Sequence, residues 1–197
     1  MKIAVSGLSG SGNSTVCRLV GKKMGLRVIN YTFRDMAKDL GMEFERLHDI
    51  RKEDWSYDYL LDRKLLEMFG VQENAIMGSR LAIWIAPANL RIWLDADLGT
   101  RAKRIAKREG IMPARALALT RKRDAENARQ YMLLYGLDIR KHAFADLAID
   151  TNKMPAEKVA QRIVALARGK NFGKTRESSR ALGIKSRIAA GLKKIRC

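Results

Sequence analysis

Residues 6–15 read SGLSGSGNST, and this segment nearly matches the phosphate-binding pattern G-x-x-x-x-G-K-[ST]. Gly7, Gly12 and Ser14 occupy their positions in the pattern, whereas Asn13 stands where the lysine is expected. Glycines let a loop curl around an anion, and the unpaired N–H groups of a helix N-terminus attract phosphate. Neither contribution requires the lysine. We therefore predict that nucleotide phosphates bind at Gly7, Leu8, Ser9, Gly10, Ser11, Gly12, Asn13, Ser14 and Thr15.

Asn13 raises the question of how charge is neutralised at this loop. Asparagine donates hydrogen bonds, but it lacks the ammonium charge that reaches the β- and γ-phosphates during phosphoryl transfer. Three interpretations follow: a glycine turn without a ligand, a loop that binds nucleotide without catalysis, and a loop assisted by arginines elsewhere. The hydroxyl of Ser14 is the expected ligand for Mg²⁺.

Arginines are frequent after the fourth predicted strand, at positions 101, 104, 108, 121, 123 and 129. Arg104 and Arg108 lie four residues apart and therefore share one face of a helix. Guanidinium groups bind phosphate oxygens through paired hydrogen bonds, and phosphoryl transfer depends on such positioning and charge stabilisation. A solvated basic helix is the alternative interpretation of the same residues.

Short apolar segments alternate with amphipathic ones along the chain. KIAVSG, LRVINY, AIMGSR, LRIWLDAD and FADLAIDT are the predicted strands. With the helical segments, the predicted order is β-α-β-α-β-β-α-α-β-α. This alternation is typical of an α/β protein, and it predicts a five-stranded parallel sheet with helices on both faces.

The net charge of +18 is distributed unevenly. Residues 169–197 hold nine basic side chains and a single acidic one, Glu177. We interpret RGKNFGKTRESS as a solvated linker and the following segment as a basic helix with Ile184, Ile188 and Ile195 near one face. Such a tail favours RNA or the ribosome as a partner. A solvated tail that binds nothing and an anionic membrane surface are the alternatives.

Composition limits the class of protein. The apolar fraction of 47% suits a soluble domain, and no apolar run is long enough to span a membrane. The two cysteines, Cys17 and Cys197, are not expected to form a structural disulfide, which favours a reducing cytoplasm. Cys17 is interpreted as a small apolar residue on a helix.

Six segments occur in an order that resembles a known family: GLSGSGNST, FRDMAKDLGM, LDRK, AIMGSRLAIW, LRIWLDADLGTRAKRIAKREG and RKRDAENARQYMLLYGLDI. Over residues 1–168 the chain resembles cytidylate kinases of the short archaeal type, within the P-loop nucleoside monophosphate kinases. The resemblance implies a three-layer P-loop NTPase fold that uses ATP and Mg²⁺. It also implies an acceptor-binding insertion near 32–70 and a lid near 109–140. Residues 169–197 would be a basic tail, and we expect a monomer.

The resemblance also assigns roles by position. It implies acceptor binding by Arg34, Asp62, Arg63 and Arg80, and catalysis by the lid residues Arg108 and Arg123. To these we add Gly78 at the acceptor site and Asn13 and Arg129 as expected catalytic residues. The chain departs from the family pattern at NYTFR, which lacks a serine and a glycine, and at MGSR, which lacks an acidic residue. Gln130 occupies the usual position of a lid arginine, and Arg129 lies one place earlier. For Asp62 and Arg63, an ordinary pair on a helix surface is the alternative.

Two functions remain open from the sequence. The first is ATP-dependent transfer of phosphate to a nucleoside monophosphate, with CMP or dCMP favoured. The second is an RNA- or ribosome-associated P-loop protein with weak or no kinase activity, which binds through residues 169–197.

Overall fold

The structure of the protein is a computed structural model that describes residues 1–169, 175–178 and 180–193. The strands are β1 (Lys2–Gly7), β2 (Arg27–Ile29), β3 (Ala75–Gly78), β4 (Leu90–Asp95) and β5 (Leu147–Asp150). The helices are α1 (Asn13–Met24), α2 (Phe33–Asp39), α3 (Phe44–Glu53), α4 (Ser56–Gly70), α5 (Ala82–Ile85), α6 (Leu98–Glu109), α7 (Pro113–Tyr135), α8 (Ala156–Gly169) and α9 (Ala181–Lys193).

All five strands form one parallel sheet in the order β2-β3-β1-β4-β5. Side chains alternate between the two faces along β1. Ile3 and Val5 pack with residues of α1 and α8, whereas Ala4 belongs to a second core with residues of α4, α5, α7 and α9. Because apolar layers cover both faces, the strands read as continuous apolar runs. The predicted three-layer α/β fold is confirmed.

The connection between β3 and β4 differs from the prediction, which placed two strands in succession. A single helical turn, α5, lies between them, and every residue from 82 to 85 is buried. Periodicity does not separate a buried helical turn from a buried strand, because both read as uninterrupted apolar residues.

The C-terminal helix α9 was predicted, but its surroundings were not. Ala181, Ile184 and Ile188 are buried in the core that contains Trp84. Upstream of α9, Arg176 forms an antiparallel bridge with Ala88. The described part of the predicted linker is therefore hydrogen-bonded to the segment that leads into β4. Ile195 and Cys197 lie outside the described residues.

In the parts of the chain that the structure describes, no helix combines the length and the apolar character needed to span a bilayer.

Candidate active site

The glycine loop joins β1 to α1 at the C-terminal edge of the sheet. Gly10 and Gly12 have φ angles of 86° and 106°, a region that side chains disfavour. Gly12 is the N-cap of α1. Within the described residues, no side chain caps this helix and no acidic residue lies in its first turn. The N–H groups at the start of α1 are therefore available to an anion, and their partial positive charge favours one.

Two arginines of α6 hold the loop from behind. Arg101 donates from Nη1 to the Ser9 carbonyl at 3.1 Å, and Arg104 donates from Nη1 to the carbonyls of Gly10 and Ser11 at 3.4 and 3.3 Å. In a trans peptide the N–H group points opposite to the carbonyl. The carbonyls of Ser9 and Ser11 therefore face α6, and the N–H groups of Gly10 and Gly12 point away from it.

Each of these arginines has further partners that fix its position. Arg101 is buried, donates from Nε to the Ala96 carbonyl at 3.0 Å and pairs with Asp124 at 2.7 Å. Arg104 also donates to the side chain and carbonyl of Thr151, at 3.0 and 2.5 Å. Both arginines orient the backbone of the loop, and this role differs from the phosphate clamp that their sequence positions suggested.

The Asn13 side chain closes the loop on itself. Its Oδ1 accepts a hydrogen bond from the Ser11 hydroxyl at 3.1 Å, and its Nδ2 donates to the Gly7 carbonyl at 3.4 Å. Gly7 is required here, because a Cβ atom would lie 2.5 Å from Ser11 Oγ. Asn13 thus stabilises the loop conformation through neutral hydrogen bonds.

Ser14 and Thr15 are exposed at the first turn of α1. The Nδ2 atom of Asn30 donates to Ser14 Oγ at 3.3 Å, a contact that the sequence did not indicate. Among the described residues, no group of three or more His, Cys, Asp or Glu side chains could hold a metal ion. A metal at this loop would therefore need oxygen ligands from a bound nucleotide besides the Ser14 hydroxyl, which is how Mg²⁺ binds phosphates in many enzymes.

Arg80 connects the loop to a polar cluster on its other side. Its Nη2 donates to Ser9 Oγ at 3.0 Å, and its charge lies close to Tyr131 on α7, where it opposes the rise in the pKa of the Tyr131 hydroxyl that burial causes. Its Nε is buried, and no described residue accepts a hydrogen bond from it. A buried N–H group without a partner is unusual in a folded protein, and a bound ligand or a water molecule could accept its hydrogen bond.

The polar cluster itself consists of Arg51, Asp58, Asp62, Arg80, Gln130, Tyr131 and Tyr135. Asp58 accepts two hydrogen bonds from Arg51, at 2.6 and 3.2 Å. Tyr135 donates from its hydroxyl to Asp62 at 2.6 Å, and both residues are buried. The cluster joins the inner face of α4 to the C-terminal half of α7.

Burial determines the protonation of the two carboxyl groups. Desolvation raises the pKa of Asp62 to about 7, with the hydrogen bond from Tyr135 opposing the shift. Desolvation also raises the pKa of Asp58, against the lowering effect of Arg51. The cluster therefore contains a carboxyl group that holds its proton to a higher pH than an exposed aspartate does.

Most of the residues in this cluster were not predicted from the sequence. A signal existed, because Asp58 and Asp62 lie four residues apart on α4, and Tyr131 and Tyr135 lie four apart on α7. Residues with this spacing share a helix face. Two acids and two aromatic hydroxyl groups on facing helices would have indicated a polar site.

The other residues predicted to bind the acceptor do not lie together in the structure. Arg63 lies on the outer side of α4, pairs with Glu67 at 2.6 Å and does not reach the Asp62 side. Arg34 is exposed, with its guanidinium carbon 4.2 Å from the centre of the Phe44 ring.

Gly78 is in close contact with Cys17, because a Cβ atom there would lie 2.8 Å from Sγ. Burial raises the pKa of the Cys17 thiol to about 12, which agrees with its interpretation as an apolar residue.

Within the described part of the chain, the predicted lid arginines make no hydrogen bond to the glycine loop. Arg108 is exposed and pairs with its neighbour Glu109 at 2.7 Å, one helical turn beyond Arg104. Arg129 is exposed, and Arg123 is half-buried on α7. Among the described residues, the arginines that hydrogen-bond to Ser9, Gly10 or Ser11 are Arg80, Arg101 and Arg104, and Arg18 donates to the Ser14 carbonyl at 3.4 Å.

Comparison with known proteins identifies the family. The model of the Cytidylate kinase-like family matches residues 2–153. The chain is 38% identical over 168 residues to Cytidylate kinase 2 of Borrelia garinii subsp. bavariensis, an alignment that covers 83% of this chain and 94% of the relative. It is 41% identical over 155 residues to cytidylate kinase of Thermococcus kodakarensis, covering 76% and 78% of the two chains.

Solved structures agree on the fold. Deoxyadenosine kinase from M. mycoides with bound dATP has a TM-score of 0.52 at 17% identity, covering 85% of this chain and all of that one. Shikimate kinase from Acinetobacter baumannii in complex with shikimate has a TM-score of 0.57 at 17% identity, covering 87% and 95%. Together with the glycine loop, these structures agree with the expected fold. The family match and the curated relatives confirm the expected resemblance and show that the protein is a kinase-like phosphotransferase. The chain belongs to the cytidylate kinase-like family.

Proposed function

We propose that this protein transfers the γ-phosphoryl group of ATP to a nucleoside monophosphate, with CMP or dCMP as the favoured acceptor. The observation that carries the proposal is the position of Arg80, which touches the glycine loop and the polar cluster at once. Phosphoryl transfer needs a donor site and an acceptor site on either side of the reacting phosphate. A single guanidinium group between two such sites fits this requirement.

At the donor side, the loop binds the phosphates of ATP through main-chain N–H groups. Arg101 and Arg104 hold the carbonyls of Ser9 and Ser11 away from the anion. The positive charge of the two arginines also lowers the electrostatic cost of binding the phosphates at the loop. Asn13 keeps the loop closed by its bonds to Gly7 and Ser11. Ser14 would hold Mg²⁺, which neutralises charge between the donor phosphates when bound.

At the acceptor side, the polar cluster suits a cytosine base. Cytosine presents an exocyclic amino group, and aspartate is a common acceptor for it. Asp58 and Asp62 supply carboxyl oxygens at a buried position, where an unpaired polar group of the wrong base would be costly. The names of the curated relatives support the same acceptor.

Some predicted arginines contact neither the glycine loop nor the polar cluster. For these we propose a role that depends on closure of the lid. Arg34, Arg108 and Arg129 are exposed, and an exposed guanidinium group can reach a bound polyphosphate when its segment moves. Arg123 belongs to the same helix as Arg129. Arg63 faces outward, so the proposal gives it no contact with the acceptor.

The experiment is a coupled assay of ADP formation with purified protein, Mg²⁺, ATP and each of CMP, dCMP, UMP, AMP and GMP. A double variant, Ser14→Ala with Arg80→Ala, gives the background rate. We expect turnover with CMP or dCMP well above that background. Turnover with all five acceptors at the background rate would contradict the proposed function.

The RNA-binding alternative has lost part of its structural basis. It was based on the basic charge of residues 169–197, and the apolar face of α9 within that segment is buried in the main core. The charge of the C-terminal segment remains its only support. Binding of RNA that survives removal of kinase activity and falls steeply with salt would favour it.

A further inference from the structure

The helix α9 lies beyond the region that the family model matches, which ends at residue 153. It nevertheless packs against α4, α5 and α7. Its residues Ala181, Ile184 and Ile188 are all buried. Burial of a helix face of this kind stabilises a fixed position relative to its neighbours. The question is which parts of the proposed active site that position fixes.

On one side, α9 fits closely against α4. Gly191 faces the ring of Tyr59, and a Cβ atom at position 191 would lie 2.3 Å from Cδ2 and Cε2 of that ring. No side chain fits in this space unless the ring moves. The Tyr59 ring in turn packs edge-on against Tyr135, with 5.7 Å between the ring centres. Gly191 therefore sets the position of an aromatic ring that supports the polar cluster.

On the other side, α9 holds the end of α7. Arg187 donates from Nη1 to the Leu134 carbonyl at 3.4 Å. Its guanidinium also lies against the C-cap residue Gly136, where a Cβ atom would be 3.5 Å from Nη2. The last carbonyls of a helix lack partners within the helix and carry partial negative charge, which a guanidinium group offsets. Arg187 thus fixes the end of α7 at its junction with the next loop.

These two contacts flank the hydrogen bond between Tyr135 and Asp62. Tyr135 is the last residue of α7, and Asp62 lies one turn after Tyr59 on α4. We propose that α9 is a clamp between α4 and α7 that positions the acceptor site, with Arg187 and Gly191 as its positioning residues. This inference rests on the function proposed above for the polar cluster.

The clamp predicts a selective kinetic effect. Without Arg187, the end of α7 moves relative to α4, so the Asp62–Tyr135 geometry loosens while the glycine loop is unaffected. The KM for CMP should rise about fivefold to tenfold in Arg187→Ala, whereas kcat and the KM for ATP stay within about twofold. Arg187→Lys should recover most of the change, because an ammonium group also offsets the charge of the helix end. Gly191→Ala should shift the KM for CMP in the same direction.

Lys193→Ala is the matched control, because it removes an exposed cation from the same helix. Hydrogen exchange of the amides of residues 131–136 provides a readout that needs no nucleotide. The clamp predicts faster exchange there in Arg187→Ala than in Lys193→Ala.

Each measurement has a result that overturns the clamp. Equal exchange in the two variants would do so, and so would a KM for CMP that does not change or that rises together with the KM for ATP. If the unmodified protein shows no turnover above background, the proposed function fails instead. The exchange comparison then decides the clamp by itself.

Discussion

Arg80 donates a hydrogen bond from Nη2 to the hydroxyl of Ser9 at 3.0 Å, across the space between the end of β3 and the glycine loop. The same side chain lies close to Tyr131 and has one buried N–H group without a partner among the described residues. This position fits the proposal that a phosphate binds here between donor and acceptor. The proposed function depends most strongly on this residue.

Substitution of Arg80 should affect transfer more than folding. Arg80→Ala should lower kcat/KM by about 100-fold, because a charge-assisted contact to the transferring group is lost. Arg80→Lys should recover little of this, since a single ammonium group does not make contacts in two directions as the planar guanidinium does. Steady-state kinetics with CMP and ATP measure both variants. A lysine variant that is as active as the unmodified protein would contradict this role.

Arg104 and Arg108 provide a test of loop support on one helix. Arg104→Ala should lower the free energy of unfolding by about 1–3 kcal/mol and weaken ATP binding, because the carbonyls of Gly10, Ser11 and Thr151 lose their donor. Arg108→Ala removes an exposed cation one turn away and should leave stability within about 0.5 kcal/mol. Urea denaturation and calorimetric titration with ATP measure the two quantities. Equal loss of stability in both variants would show that Arg104 has no special role.

Asp62 should make stability depend on pH. Its pKa is about 7 in the folded protein, above the ordinary value of 3.8, so the folded state keeps a proton that the unfolded state loses. The stabilisation is complete below about pH 4 and is lost as pH rises to about 7. In Asp62→Asn no proton is lost, and the side chain still accepts a hydrogen bond from Tyr135. The free energy of unfolding of this variant, relative to the unmodified protein, should rise by on the order of 2 kcal/mol between about pH 5 and pH 8.

Asp58→Asn is the control for that measurement. Asp58 pairs with Arg51, so its substitution should destabilise the protein by about 3–5 kcal/mol at neutral pH, where the pair is ionised. Urea denaturation at a series of pH values compares the two variants. A parallel pH dependence of Asp62→Asn and the unmodified protein would assign the dependence to another group.

Asn13→Ala tests the contribution of the side chain that replaces the expected lysine. Its two hydrogen bonds are neutral and local, so their loss should weaken ATP binding by about threefold to tenfold and leave CMP binding unchanged. Titration calorimetry with each nucleotide separates the two effects. A loss of ATP binding by several orders of magnitude would mean that Asn13 contacts the phosphates directly.

The sequence predicted the sheet and the loop because their signals are local. Apolar runs that end at Gly7 and Gly78 mark buried parallel strands, and the glycine spacing marks the loop. Most of the polar cluster was not predicted, because it depends on which face of α7 lies against α4. Asp62 and Arg63 illustrate this: neighbours on a helix point about 100° apart, so one is buried and the other faces solvent.

The roles of the arginines could not be read from the sequence either. Arg101, Arg104 and Arg108 all follow β4 at helical spacing, but contact with the loop depends on where α6 starts relative to Gly10. Gly10 and α6 lie so close that a Cβ atom would be 2.7 Å from the Arg101 carbonyl. Similarly, the apolar face of α9 was evident from Ile184 and Ile188, whereas its partners α4 and α7 follow only from the packed fold.

The central claim is that main-chain amides of the loop, held in place by arginines behind it, bind the triphosphate without a lysine. Backbone amide NMR of residues 7–15 during titration with Mg·ATP tests it most directly. We predict saturable shifts at Gly10, Gly12 and the first turn of α1, and weaker binding in Arg104→Ala. Signals that stay unmoved at saturating Mg·ATP would contradict the claim.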